Sequence, residues 1–408
     1  MARHFTKPAF DIPPAVTDAH QHGVYPELNH DERARLNFVA ACNRVIASTL
    51  TQGNELAYKS QVAPAFEKEH GRAPSDRHEV RRAMNANAFH CSWSALRRNL
   101  MEIRQQAGAA VVLRQLEQLA ARAQRLNAND DNLVLDQAVQ IPPYVAEVDH
   151  HCMPGSYHRE LVAGDVSPGA NYDTGFFVTT GGTIGTLCDG AGKSIANWVQ
   201  QALAERHGGQ PPKRILDVGV AAGHSIVPIA QAFPDAQVIA IVVSAPMLRY
   251  AHARAKSLGV TNIKFVQMSG EDLSAFADER FDWVQSSIFL HELSAKALPR
   301  VLKECFRVLK PGGLTLHLEQ PQYDDSMPVF EEFMRDWGSY NNCEPFWTAM
   351  HGINMEAALV ESGFTAEDLF RANLVGVVDG DSETSGAGAN QDHGRAAAWH
   401  SYGAWKSS

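Results

Sequence analysis

An apolar run closes on an acidic residue at Ile215-Leu216-Asp217, and small residues follow at Gly219, Ala221 and Gly223, ahead of His224-Ser225. A parallel strand that ends this way delivers its C-terminal end to an adenosine-bearing ligand. Glycine lets the backbone come close, and the helix that follows presents free N–H groups at its start. A second reactive pair is His291-Glu292, placed just after the run Phe281 to Leu290. An imidazole with an ordinary pKa of about 6.5 takes a proton from a hydroxyl or amine nucleophile, and a neighbouring carboxylate orients it. The plain alternative is a histidine that caps a strand end and a glutamate in solvent. The pair lacks the second histidine of the His-Glu-x-x-His zinc signature. Two histidine groups carry metal-ligating chemistry: Asp18-Ala19-His20-Gln21-His22, and Asp149-His150-His151-Cys152 with His158. Neither has a familiar ligand spacing, so no metal is assigned; the second group is expected to touch substrate instead.

Composition bounds the class of molecule. With 408 residues, the chain holds two domains or one domain with a large extension. At 45% hydrophobic and 20% charged residues it supports a sizeable core and excludes bulk disorder. The net charge of −10, with no long basic run, disfavours nucleic acid and anionic membrane surfaces as partners. No apolar run reaches the roughly 18 residues of a membrane span, and Met1-Ala2-Arg3-His4-Phe5 lacks the apolar core of a signal peptide. Cysteines at 42, 91, 152, 188, 305 and 343 form no Cys-x-x-Cys pair and read as reduced, cytoplasmic thiols.

The elements that must position these residues change character along the chain. Residues 1 to about 30 are rich in Pro and His and read as extended. From Asp31, placed to cap, Leu36, Val39, Ala40, Ile46 and Leu50 recur at helical spacing. Further helical patterns run from about Asp76 to Gln106 and through Val111, Leu116, Leu119, Ala123 and Leu126. Residues 1–150 are therefore expected to form a mainly helical domain, a lid or a source of substrate or dimer contacts. Residues 151–190 are glycine-rich and read as a linker and active-site loop. An amphipathic helix carries Ile195, Trp198, Val199, Ala202 and Leu203 and stops at Gly208-Gly209 and Pro211-Pro212. Strands and helices then alternate. Strands are expected at 214–218, 237–243, 263–267, 283–287 and 314–319, with helices near 223–233, 246–258 and 296–309; alternation of this kind implies a parallel sheet. Strand-like pieces near 370–378 and 396–405 flank a Gly/Ser/Asp loop at 379–395 and suit an antiparallel closing pair.

With its motifs in this order, the chain from about residue 190 to 405 resembles the class I S-adenosylmethionine (SAM) dependent methyltransferases of small-molecule type. The resemblance implies an α/β fold: a Rossmann-like, mostly parallel sheet with helices on both faces in residues 191–408, behind the helical N-terminal domain. It implies SAM as cofactor. Asp217, Gly219, Ala221 and Gly223 match the first motif, which lies against the methionine part of SAM, with Ala221 where the family has its middle glycine. Val238 to Leu248 matches the second motif, and its Ser244-Ala245-Pro246-Met247 helix entry puts Val242 where the family carries the carboxylate that grips both ribose hydroxyls. Valine accepts no hydrogen bond, and each buried hydroxyl left unpaired costs about 1–3 kcal/mol. The third motif, which reads the adenine amino group, falls on Ser269-Gly270-Glu271, with Glu271 and Asp272 either substituting or forming a solvated turn. The fourth places Ser286 on a strand below His291, which with Glu292 is the expected catalytic pair. Arg307 to Leu314 is the family's helix–turn–strand marker, a structural element. The aromatic stretch Phe330, Phe333, Trp337, Tyr340, Phe346 and Trp347 either covers the acceptor or packs on the N-terminal helices; Tyr172 and Tyr323 are candidate orienting groups. The resemblance thus implies methyl transfer to a small, partly apolar or aromatic acceptor, with a homodimer as a possible assembly. Two other readings stay open: the fold with altered, non-methylating SAM use, and a non-catalytic binding subunit.

Overall fold

The β-rich apolar runs between residues 214 and 318 assemble into a sheet whose strand order sets the position of every candidate residue. A computed structural model describes residues 15–324, 326–377 and 398–407. The strands are β1 (Leu133–Val134), β2 (Arg214–Val218), β3 (Gln237–Val242), β4 (Ile263–Gln267), β5 (Phe281–Ser287), β6 (Leu309–Leu318), β7 (Leu369–Val375) and β8 (Ala398–Trp405). They lie in the order β1-β4-β3-β2-β5-β6-β8-β7. β1 to β6 are parallel to one another, and β8 runs antiparallel between β6 and β7. The chain leaves β2 to one side through β3 and β4, and returns to its other side at β5. The order reverses beside β2, and in open α/β sheets ligands bind in the crevice that opens at such a point. This is a Rossmann-like, mostly parallel α/β sheet with a helical N-terminal region, and the expected antiparallel pair closes it. The loop at 379–395 lies outside the described residues, as do residues 1–14.

Alternation along the strands splits the core in two. Ile215, Val238, Phe265 and Trp283 face a cluster that also takes in Leu36, Val39, Val111, Phe177 and Ile195. Leu216, Ile241 and Val284 face a second cluster with Leu298, Leu302, Met350 and Leu359. The N-terminal helices thus share a core with one face of the sheet. They comprise His30–Val45, Thr51–Ala57, Ala63–His70, Arg77–Met84, Ala88–Arg114 and Leu116–Asn127.

Three local expectations are corrected. Asn29, not Asp31, caps the first helix: its side chain accepts the Glu32 N–H at 2.9 Å, while Glu32 accepts the Asn29 N–H at 2.8 Å. That reciprocal box satisfies two otherwise orphan donors. Residues 151–190 are more than a loop: Ser167–Thr180 is a helix buried on nearly every side. With no solvent face it shows no amphipathic period, so its pattern is silent in sequence. Finally, β1 adds two residues from the helical region to the edge of the sheet beside β4.

Candidate active site

The turn after β2 is built from backbone that side chains avoid. Gly219, Ala221 and Gly223 all take positive φ, at 87°, 45° and 83°. A Cβ on Gly219 would stand 2.3 Å from the Phe289 ring, so only glycine fits there. Ala221 carries its methyl group in the left-handed region, at an expense of about 1–2 kcal/mol. The N–H groups of Gly219 and Val220 both donate to the Ile241 carbonyl at 2.9 and 3.1 Å, fixing the turn to the end of β3.

Above the ends of β2, β3 and β5 opens a cavity of about 1750 Å³, its mouth to solvent included. Of the sequence-predicted residues, Gly219, Ala221, Val242, Ser244, Met247, Ser269, Gly270, His291 and Glu292 line it together. The other four stand behind the wall. Asp217 is buried beside β5, where Gln285 donates to its carboxylate at 2.5 Å. Burial pushes its carboxyl up to about 7 against that hydrogen bond, so it is a buried acid with no cationic partner. Gly223 gives the turn its conformation. Glu271 accepts the Tyr144 hydroxyl at 2.8 Å and pairs with Arg300 at 3.1 Å. Ser286 bonds His317 inside the sheet at 2.8 Å. Ser244 caps the helix Ala245–Ser257 and donates to the Tyr157 carbonyl at 2.6 Å.

His291 is held rather than loose. Its Nδ1 donates to the Glu319 carboxylate at 2.8 Å, and Nε2 has no hydrogen-bond partner, with the Glu292 carboxylate 3.7 Å away. Burial opposes its charge, but Glu319, Glu292 and Glu344 outweigh burial and push the imidazole up to about 9. Glu292 does not point to solvent. It accepts the Tyr157 hydroxyl at 2.8 Å and meets His150 at 2.5 Å and His151 at 3.2 Å. Burial would raise its carboxyl; the two histidines override burial and hold it well below the usual carboxylate range.

Other expectations divide. Tyr172 lines the cavity, while Tyr323 donates to Asp336 at 2.6 Å away from it. Trp337 and Trp347 form part of the wall, whereas Phe333 packs with Val80 and Met84 of the N-terminal helices. His22 is no ligand candidate: it bonds the buried carboxylate of Asp173 at 2.8 Å, alongside His224 and Tyr250. Sequence reasoning missed Arg104, a buried guanidinium on the cavity wall, and Glu344. Arg104 lies mid-helix in Ala88–Arg114, where an arginine reads as a solvent-facing residue.

Comparison with known proteins bears on this geometry. A family model described as a methyltransferase domain matches residues 215–313, from β2 through the turn before the main pairing of β6. Residues 215–313 carry a methyltransferase domain of the class I SAM-dependent kind. A malonyl-[acyl-carrier protein] O-methyltransferase of Methylococcus capsulatus is 36% identical to it over 108 residues, 26% of this chain and 38% of that protein. A ubiquinone/menaquinone biosynthesis C-methyltransferase of Vibrio parahaemolyticus is 31% identical over 136 residues, 33% of this chain and 49% of that protein. The chain thus spans less than half the length of these curated relatives. Among solved structures, a SAM-dependent methyltransferase from Aquifex aeolicus shares 19% identity over 52% of this chain and 87% of its own, with a TM-score of 0.32. The methyltransferase domain fits SAM at one end. The open turn and the buried, uncompensated Asp217 are groups that would suit the ammonium of its methionine part, and the Val242 side chain on the cavity wall carries no hydrogen-bond acceptor. No helix among the described residues is long and apolar enough to cross a membrane.

Proposed function

We propose that this chain transfers the methyl group of SAM to a small, partly apolar or aromatic acceptor. One observation carries the reading. The turn residues Gly219 and Ala221 share a single cavity with His291, Tyr172, Trp337 and Trp347. SAM, held by the turn and by Asp217 behind it, supplies an activated methyl group. The protein's part is to align the acceptor and to take its proton, and alignment accounts for much of the rate. Glu319 fixes Nδ1 of His291 as a donor nitrogen, and with the imidazole pushed up to about 9 its Nε2 receives that proton only in the neutral form, so turnover through this base rises with pH towards 9. The aromatic wall provides the apolar surface that small-molecule sites use. Calorimetric titration with SAM and with S-adenosylhomocysteine tests the reading. Micromolar binding of both, lost in Asp217→Ala, is the expected result; no binding at millimolar ligand overturns it.

A homodimer and a cytoplasmic setting belong to the same reading. Phe38, Val45 and Leu56, each more than half exposed on the N-terminal helices, are apolar surface that a second copy would cover. Sedimentation of the wild type as a monomer at micromolar concentration would refute the dimer. All six cysteines are free thiols, in keeping with a reducing compartment.

A further inference from the structure

At the acceptor side of the cavity, side chains from three distant segments converge. His150, Glu292 and Glu344 each bring a ligand-capable atom within 4.8 Å of the others, and no other group of His, Cys, Asp and Glu among the described residues does so. Nε2 of His150 donates to the Tyr144 carbonyl at 2.9 Å, so Nδ1 is the nitrogen left to face the centre. That nitrogen faces Oε2 of Glu292 at 2.5 Å without hydrogen-bond geometry, and both atoms are buried without a hydrogen-bond partner. Oε2 of Glu344, on a side chain with no exposure, is unpartnered too. His151 contacts Glu292 and Glu344 through opposite ring nitrogens. His151 and Cys152 take φ of 55° and 57°, so the chain bends through unfavourable backbone where it carries both histidines to this centre.

Without a cation only a proton keeps this nitrogen and the carboxylate oxygen from repelling, a divalent ion would take that proton's place, and buried polar atoms left without partners are costly. We propose that His150, Glu292 and Glu344 bind a divalent transition-metal ion. One imidazole with two carboxylates suits zinc, manganese, iron or cobalt; calcium and magnesium favour oxygen-only shells. The His150–Tyr144 contact is the outer-shell bond that orients a metal-ligating histidine. The site borders the cavity, so a hydroxyl on the acceptor would complete the metal's shell and become more acidic there. This last role rests on the proposed methyl transfer; the site itself does not.

The test needs neither SAM nor an acceptor. Protein stripped with a chelator and titrated with Co²⁺ should develop visible d–d bands that saturate at about one equivalent, with Kd of about 1 µM or tighter. Glu344→Gln and His150→Ala should each weaken binding by about 100-fold, with near-UV circular dichroism unchanged. X-ray absorption on the zinc-loaded wild type, which requires no variant, should show nitrogen and oxygen donors only. Absence of saturable binding up to millimolar metal, or binding that survives both substitutions in folded protein, overturns the site. So does a sulfur shell, which would put the metal on Cys152 and Cys343, 3.8 Å apart nearby.

Discussion

Asp217 shows how far burial moves a single carboxyl. An aspartate in an unfolded chain titrates at about 3.9, and in the folded protein burial moves this one up to about 7. The folded state therefore holds a proton that the unfolded state has lost, and stability falls as pH rises from about 4 to about 7. Asp217→Asn keeps the acceptor for Gln285 and removes that loss. Urea unfolding should find it near wild type at pH 4 and about 2–4 kcal/mol more stable at pH 8; a gain that does not vary with pH would contradict the raised carboxyl. Val242 lends itself to the opposite substitution. Val242→Asp puts a carboxylate on the cavity wall at the end of β3, and affinity for S-adenosylhomocysteine, read by calorimetry, should rise by about tenfold or more. Unchanged affinity would mean that the ribose lies elsewhere. Asp217 and Ala221 could be read from sequence because the first motif fixes their register, and Val242 because the helix entry of the second motif fixes its own. Glu344 could not, since its partner histidines lie far back in the chain and no local pattern links them.

Between elements, Asp173 acts as a joint. It accepts His22 from the N-terminal segment, His224 from the turn after β2 and Tyr250 from the helix Ala245–Ser257, at 2.8, 2.8 and 2.7 Å. Burial would raise its carboxyl, but His224 and His22 override burial and hold it well below the ordinary range. Its contribution is thus present above about pH 4 and is lost as pH falls below that. Asp173→Ala strands three buried donors and should destabilise the protein by about 3–5 kcal/mol, measured as a shift in the urea midpoint. A loss under 1 kcal/mol would show that the donors find water. The strands around this joint were legible because runs of Val, Ile and Leu bounded by turns have few other solutions. The helix that carries Asp173 was not, because burial on all sides erases the period that marks a surface helix.

Across the whole molecule, the helical residues 1–150 and the sheet emerge in sequence as separate blocks, yet they share one core. Leu36, Val39 and Val111 pack in the cluster that covers Ile215 and Val238. Residues 191–408 expressed alone should therefore lack a fixed near-UV signal and be digested rapidly by protease; a cooperative, protease-resistant fragment would instead favour a division into two domains. Periodicity reports which face of an element is apolar and is silent on which distant element covers it. The placing of β8 has a consequence of another kind. It pairs with β6 on one side and β7 on the other, so the last strand among the described residues fills an interior slot. During synthesis β6 and β7 leave the ribosome with a gap between them, and their unpaired edges stay open until Trp405 has cleared the exit tunnel. For that interval the nascent chain offers ready-made strand templates, and its yield in the cell should depend more on chaperones than on the stability of the finished fold.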